Sequence, residues 1–287
     1  MKCTSFSDAL AESLDDLDDR VYKLNKAGMI IIDGGVGEGK TTLAIQIMDY
    51  LNQRHGLGLV DLSLQGVKQL AMGGEDFSKK LLICQAAGLP VEAYDEAGDF
   101  NKRGSLSRFN ALINRTFETY RAFKVIVILV LPSFSVLDQE IFDKNIPRLL
   151  IRVHSRTANQ GNGKAFSLYR MLWIREKMKK LIVKTQAYGL VDPNFHIHFK
   201  DLSAERSKQL DDLSTKGKIK ELKGAEIKYE GLLSYTDLAR KVGRSERWIK
   251  QACAELKIRS TKQYLRRYYF PADTTDRLLD HLDEKAK

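Results

Sequence analysis

A chain of 287 residues is long enough for one large domain and a smaller one. Its composition, 43% hydrophobic and 29% charged, excludes wholesale disorder. A formal charge of +10, from 47 Lys and Arg against 37 Asp and Glu, favours a polyanionic partner, nucleic acid before membrane. Three scattered cysteines, Cys3, Cys84 and Cys253, exclude a disulfide framework or a zinc cage.

Residues 7–25 read as one amphipathic helix. Leu10, Leu14, Leu17, Val21 and Leu24 recur at spacings of four and three, while Glu12, Asp15, Asp16, Asp18 and Asp19 form an acidic, solvated face. The apolar seam docks on the body of its own chain or, in the sharper reading, on a protein partner or neighbouring subunit. Residues 29–33 are an apolar run stopped by glycines, the pattern of a buried parallel strand. Residues 41–51 have helical periodicity, and 57–64 and 81–84 are weaker core candidates. Residues 91–94 read as a second core strand interrupted by Glu92, and 109–123 as a helix. The clearest buried strand is 125–131, VIVILVL, far shorter than the ~20 residues of a membrane helix. Residues 149–153 and 166–174 bracket the polar stretch 159–164 and read as a hairpin late in the sheet.

The N-terminus is acidic and polar without a signal-peptide core, so a soluble cytoplasmic protein is expected, with no membrane partner. Residues 202–222 read as a charged, solvated connecting helix. The predicted organisation is a helix over 1–27, an α/β core over 28–190, a linker helix over 191–230 and a small helical domain over 231–287. The core is predicted to be a mostly parallel sheet with helices on both faces.

Gly34-Gly35-Val36-Gly37-Glu38-Gly39-Lys40-Thr41 fits the phosphate-loop pattern GxxxxGK[ST], placed after an apolar strand and before an amphipathic helix. Glycines let the backbone point its N–H groups at phosphate oxygens, and the helix N-terminus, where Thr42 follows, adds partial positive charge. Lys40 would reach the β- and γ-phosphates of ATP, and the Thr41 hydroxyl would ligate Mg²⁺. Gly35 occupies the position where partition-type ATPases carry a second lysine, so that deviant loop is absent.

Such a loop needs a carboxylate site at the end of another core strand. Asp95 and Glu96, closing the run 91–97, supply it: Asp95 for the metal through its water shell, Glu96 to orient and polarise the attacking water. A surface acidic turn is the bland alternative. Asp138, beyond Pro132 and well past the strand end, is a poorer candidate.

The loop, the Asp95-Glu96-Ala97 step and the apolar strand that follows resemble the additional-strand, catalytic-glutamate division of P-loop NTPases, with a RecA-like sheet. Within it, residues 28–175 are similar to the FtsK/HerA-like motors and their virus-packaging or phage-assembly relatives. That resemblance implies an oligomer and a mobile-element or viral setting. It also implies a polar sensor at the tip of the strand after the acidic pair, where Pro132-Ser133 stand, so that Ser133 would sense the γ-phosphate. It implies an arginine acting in trans on a neighbour's nucleotide, with Arg152 and Arg156 favoured over Arg103, Arg108, Arg121 and Arg148.

Residues 233–250 resemble a helix-turn-helix unit: Ala239 at the helix contact, Gly243 in the turn, Ser245 as a cap, and Leu238, Val242 and Ile249 facing inward. Residues 258–270 extend it as a wing. From 232 to 270 there are ten Lys or Arg against three acids. With double-stranded DNA as partner, Arg244, Arg247 and Lys250 lie near base edges or phosphates, and Arg266 and Arg267 grip backbone. The alternative is a helical protein–protein module. His196 and His198 alternate on a short strand without a third ligand, which argues against a metal site. The functional expectation is an ATP-hydrolysing, DNA-associated oligomer that moves, packages or remodels DNA. The alternative is an ATP-switched regulator or assembly adaptor with slow turnover. A small-molecule kinase has less support, because no arginine-rich lid is recognisable.

Overall fold

Ile30, Ile31 and Ile32 are wholly buried, and so are Ile128 and Leu129, because both of their strands lie in the middle of a sheet covered on two faces. The computed structural model describes residues 5–63, 67–72, 74–95, 123–157, 160–227, 232–260, 262–264, 267–271 and 273–286. Cys3, Glu96, Arg103, Arg108, Arg121, Arg266 and the helix expected over 109–123 lie mostly or wholly outside them. The chain divides into two compact units, Met1–Thr215 and Lys216–Lys287.

In the first unit, α1 (Asp8–Tyr22) is followed by β1 (Met29–Gly34), α2 (Lys40–Arg54), β2 (Leu70–Ala71), α3 (Gly74–Ala86) and β3 (Val91–Asp95). Then come β4 (Ile126–Leu131), α4 (Gln139–Asp143), β5 (Pro147–Arg156), β6 (Gln160–Ser167), α5 (Leu168–Lys180), β7 (Phe195–Lys200) and α6 (Ala204–Ile227), which begins in this unit and ends in the second. Short 3-10 turns at Phe134–Val136 and Lys184–Gly189 follow β4 and α5. The seven strands form one sheet in the order β2-β3-β4-β1-β5-β6-β7. Pairing is parallel from β2 to β5 and antiparallel across β5, β6 and β7. The fold is therefore α/β with a mostly parallel sheet, and β4 lies between β1 and β3.

Strand alternation sorts the core into two layers. Ile30, Ile32, Val91, Ala93 and Ile128 face α1 and α2, while Ile31, Tyr94, Val127 and Leu129 face α3, α4 and α5. Leu10, Leu14, Leu17 and Val21 of α1 enter the first layer, so the helix docks on its own chain. Two expectations for it change. The helix ends at Tyr22 and leaves Leu24 60% exposed. Its acidic face is not simply solvated: Asp18 is buried and accepts from Arg54 Nε at 2.8 Å, and Asp15 accepts from Tyr50 Oη at 2.7 Å.

The hairpin late in the sheet is β5–β6, but its second strand ends at Ser167 rather than 174; Leu168 onward is helical, carrying Met171, Ile174 and Met178 into the second layer. Apolar residues at three- and four-residue steps signal that helix, and the run's hydrophobicity conceals it. The sheet also continues past residue 190. β7 pairs with β6, which places 195–200 in the main sheet instead of a linker. α6 is less solvated than its composition implies, since Leu210 packs into the first layer and Arg206 pairs with Asp49 at 3.0 Å.

In the second unit, β8 (Leu232–Ser234) leads into α7 (Tyr235–Val242), α8 (Glu246–Glu255), β9 (Lys262–Tyr264), β10 (Arg267–Pro271) and α9 (Thr274–Ala286), with strand order β8-β10-β9. Ser234 and Asp237 form a reciprocal capping box at the start of α7, and Ser245 accepts from the Trp248 N–H at 3.3 Å to cap α8. Gly243 ends α7 at φ 69°, where a side chain would be strained. Leu238, Val242, Ile249, Cys253, Phe270 and Leu278 share one core.

Candidate functional site

The loop between β1 and α2 lies at the C-terminal ends of the parallel strands, where open α/β sheets place ligands. Gly39 turns the chain into α2 at φ 87°, a conformation open to glycine. Lys40 Nζ donates to the carbonyls of Gly34 at 3.0 Å and Gly35 at 2.6 Å. The Gly35 N–H donates to Glu38 Oε2 at 2.5 Å. The loop thus satisfies part of its anion-binding capacity with its own carboxylate, and Val36 at its tip is fully exposed. Burial lowers the Lys40 pKa, against the opposing fields of Asp95, Glu38 and Asp33. Thr42 is buried behind the loop.

Asp95 ends β3 at the same edge of the sheet. Thr41 Oγ1 donates to Asp95 Oδ2 at 2.8 Å, across a sequence separation of 54. This contact joins two residues singled out separately in the sequence. A hydroxyl and a carboxylate so placed fit magnesium, which takes few protein oxygens and keeps waters and substrate phosphates as its other ligands. Among the described residues no group of three or more His, Cys, Asp or Glu could hold a metal, so the fit is to a phosphate-assisted ion. Glu96, the expected water-orienting base, lies outside the described residues.

A second polar cluster adjoins the loop. Asp33, the last side chain of β1 before the glycines, is wholly buried. Its Oδ2 accepts from the Phe134 N–H at 3.1 Å and from the Tyr188 hydroxyl, and Arg152 Nη1 lies 3.7 Å from Oδ1. Burial raises its pKa from 3.8 to about 6, with Arg152, Tyr188, the Phe134 N–H and Lys40 holding it lower than burial alone would. Burial and the field of Asp33 push the Tyr188 phenol up. The Arg152 guanidinium is 4.7 Å from the centre of the Tyr188 ring, and its side chain is 14% exposed.

Arg152 therefore has its partners in its own chain, beside the loop lysine whose charge it influences. The expected reach to a neighbouring subunit would require it to leave them. Arg156 lies farther along β5, opposite Gly161. Ser133, at the tip of β4, lies beside the Ser135 hydroxyl at 2.9 Å and contributes to the surroundings of Tyr188. Asp138 stands at the N-cap of α4, past the end of β4 and its 3-10 turn.

No protein-family profile matches the chain, and no curated protein matches its sequence. Among solved structures it is similar to a KaiC-like protein from the hyperthermophilic archaeon Pyrococcus horikoshii OT3, at 13% identity and a TM-score of 0.34, covering 50% of this chain and 79% of that one. It is also similar to the flagellar accessory protein FlaH from Methanocaldococcus jannaschii, at 15% identity and a TM-score of 0.24, covering 54% of this chain and 84% of that one. These likenesses are remote, and the chemistry of the site rests on this chain's own geometry.

Sequence reasoning missed Asp33 and Tyr188. Asp33 had a signal: a carboxylate ending an otherwise apolar buried strand, immediately before the glycines. Tyr188 had none, because its role depends on the 3-10 turn returning to the strand ends. Glu92, read as a break in β3, is instead a wholly buried member of it, and burial raises its pKa well above the usual carboxylate range. In the second unit Arg244, Arg247 and Lys250 are exposed around the start of α8. Lys250 Nζ also lies 5.5 Å from the Tyr235 ring centre. Arg267 belongs to β10, and Arg266 lies outside the described residues. No helix among the described residues is long and apolar enough to cross a membrane.

Proposed function

We propose that the chain is a magnesium-dependent ATPase of the additional-strand, catalytic-glutamate kind, which engages double-stranded DNA through its C-terminal unit and works as a homo-oligomer. The observation that carries the nucleotide reading is the Thr41–Asp95 hydrogen bond beside a lysine-bearing glycine loop. Lys40 and the loop amides would bind the β- and γ-phosphates, in exchange for the internal bonds to Gly34, Gly35 and Glu38. Thr41 and Asp95 would hold Mg²⁺, whose charge offsets that of the phosphates. Glu96 would orient the attacking water, and Ser133 would report on the γ-phosphate.

The DNA reading is supported by the net positive charge of 232–270 and by Arg244, Arg247 and Lys250 lying on one exposed stretch. The motor function of the FtsK/HerA-like proteins, in a viral or mobile-element setting, is the form of activity this combination suits. Calorimetry with Mg·ATP tests the nucleotide step, and absence of binding refutes it. A gel shift at low salt that needs residues 232–287 tests the DNA step.

A second reading, an ATP-switched regulator or assembly adaptor with slow turnover, is favoured by the self-satisfied loop, in which Glu38 and Lys40 close on neighbouring backbone. Glu96→Gln separates the two. A switch accumulates in its ATP-bound assembly and keeps binding DNA; a motor loses its action on DNA.

A further inference from the structure

The three strands at the antiparallel end of the sheet contain no Asp or Glu: β5 reads PRLLIRVHSR, β6 QGNGKAFS and β7 FHIHFK. They hold three of the chain's five histidines, His154, His196 and His198, together with Arg152, Lys164 and Lys200. Their register aligns these groups. Arg152 is opposite Lys164, which is opposite His196; Asn162 is opposite His198, and Gln160 opposite Lys200. Neighbouring strands lie about 4.8 Å apart and alternate side chains share a face, so Arg152, Lys164 and His196 form one transverse row, with the other pairs stepping away along the strands.

The opposite face of these strands is apolar and filled. Ile151, Val153, Ala165, Ile197 and Phe199 pack into the layer that contains α1. On the polar face His154, His196, His198 and Lys200 are exposed, and Lys164 is half-buried. The charges are close enough to feel one another. Burial lowers the His154 pKa, and Lys164, His196 and Arg152 lower it further, with Glu38 alone opposing them. A sheet face that gathers like charges without carboxylates on its own strands is complementary to a polyanion.

We infer that this face of β5, β6 and β7 is a second nucleic-acid contact, which holds the phosphodiester backbone along the Arg152–Lys164–His196 row and is joined to the nucleotide loop through Arg152. The inference rests on the proposed DNA-associated ATPase and adds to it a binding surface in the ATPase unit itself. Arg152 belongs to the row and also to the Asp33–Tyr188 cluster beside Lys40. Backbone phosphate on the row and triphosphate in the loop therefore compete for, or share, one guanidinium. By linkage, each ligand then alters the affinity of the other.

The test is fluorescence anisotropy of the full chain with a labelled single-stranded oligonucleotide and, separately, its duplex, over a series of salt concentrations. Lys164→Gln/His196→Gln/His198→Gln/Lys200→Gln should weaken binding of at least one form roughly tenfold and shrink its log–log salt slope by about 1.8 for the duplex or about 1.4 for the single strand, the loss of two phosphate contacts at about 0.9 or about 0.7 each. Binding of labelled ATP by the same variant reports that it is folded, and Lys164→Arg should retain oligonucleotide affinity. Unchanged affinity and slope for both forms overturn the inference and leave the C-terminal DNA reading intact. Loss of binding only in Arg244→Gln/Arg247→Gln overturns it in the same way. Capture by phosphatidylserine vesicles but not by either oligonucleotide assigns the face to membranes and overturns it. Failure of the unmodified chain to bind either oligonucleotide refutes both readings together.

Discussion

The two ends of the main sheet belong to one hydrogen-bonded sheet but differ in strand direction and in what covers them. From β3 to β1 nearly every side chain is buried, above and below. In β7 burial alternates with exposure, and only one face meets the core. Parallel strands need crossover helices, which cover both faces, whereas at the antiparallel end the segment between β6 and β7 carries α5 into the second layer and β7 itself keeps one face in water. The consequence is chemical. Charge placed in the parallel end is desolvated and must be partnered or neutral, as with Asp33 and Glu92; charge on the exposed face of β7, at His196, His198 and Lys200, stays hydrated and available to a ligand.

The covered layer can be broken most severely through the N-terminal helix. Leu14→Ala empties a wholly buried site and should cost about 2–5 kcal/mol of stability in chemical denaturation. A loss below about 0.5 kcal/mol would mean that α1 is dispensable to the core.

The desolvated end should show itself through pH. Burial raises the Asp33 pKa from 3.8 to about 6, so the folded state keeps a proton that the unfolded chain releases. The resulting stabilisation is full below the unfolded value and is lost as pH rises through the folded one, amounting to about 3 kcal/mol between those limits. Thermal unfolding of Asp33→Asn should therefore fall less than that of the unmodified protein from pH 4 to pH 7. The elevated pKa of Glu92 acts in the same direction and leaves part of the slope in the variant. Parallel pH profiles for the two proteins would show that Asp33 is not desolvated.

Loss of two charge-assisted contacts in Lys40→Ala should weaken Mg·ATP binding on the order of 100-fold in calorimetry. On the open face, His196→Gln or Lys200→Gln should change stability by less than about 0.5 kcal/mol. A larger loss would show that the antiparallel end is a structural surface after all.

The same contrast explains which features can be read from the sequence. Runs such as 29–33 and 125–131 are legible because strands buried on both faces are apolar at every position, and the glycine loop is legible because its spacing is local. Thr41 and Asp95 can each be chosen from its own neighbourhood, yet their contact depends on the strand order that inserts β4 between β1 and β3. β7 is harder to assign, since FHIHF alternates and its neighbours are polar; only pairing with β6 attaches it to the sheet. Arg152 stands out as a functional candidate by residue type and strand position. Its orientation is not legible, because Tyr188 and Asp33 reach it from distant segments.

Among the described residues the sheet finishes on one side with the two residues of β2. On the other, Ser5 and Ser7 bond to β7: the Lys200 N–H donates to the Ser5 carbonyl at 2.9 Å, and the Ser7 N–H to that of His198 at 3.1 Å. Among the described residues one rim offers only a two-residue strand to a partner, and the other is partly capped by the chain itself. Pairing of sheets between copies is disfavoured at both of these described rims, which leaves side-chain surfaces as the route by which copies would meet.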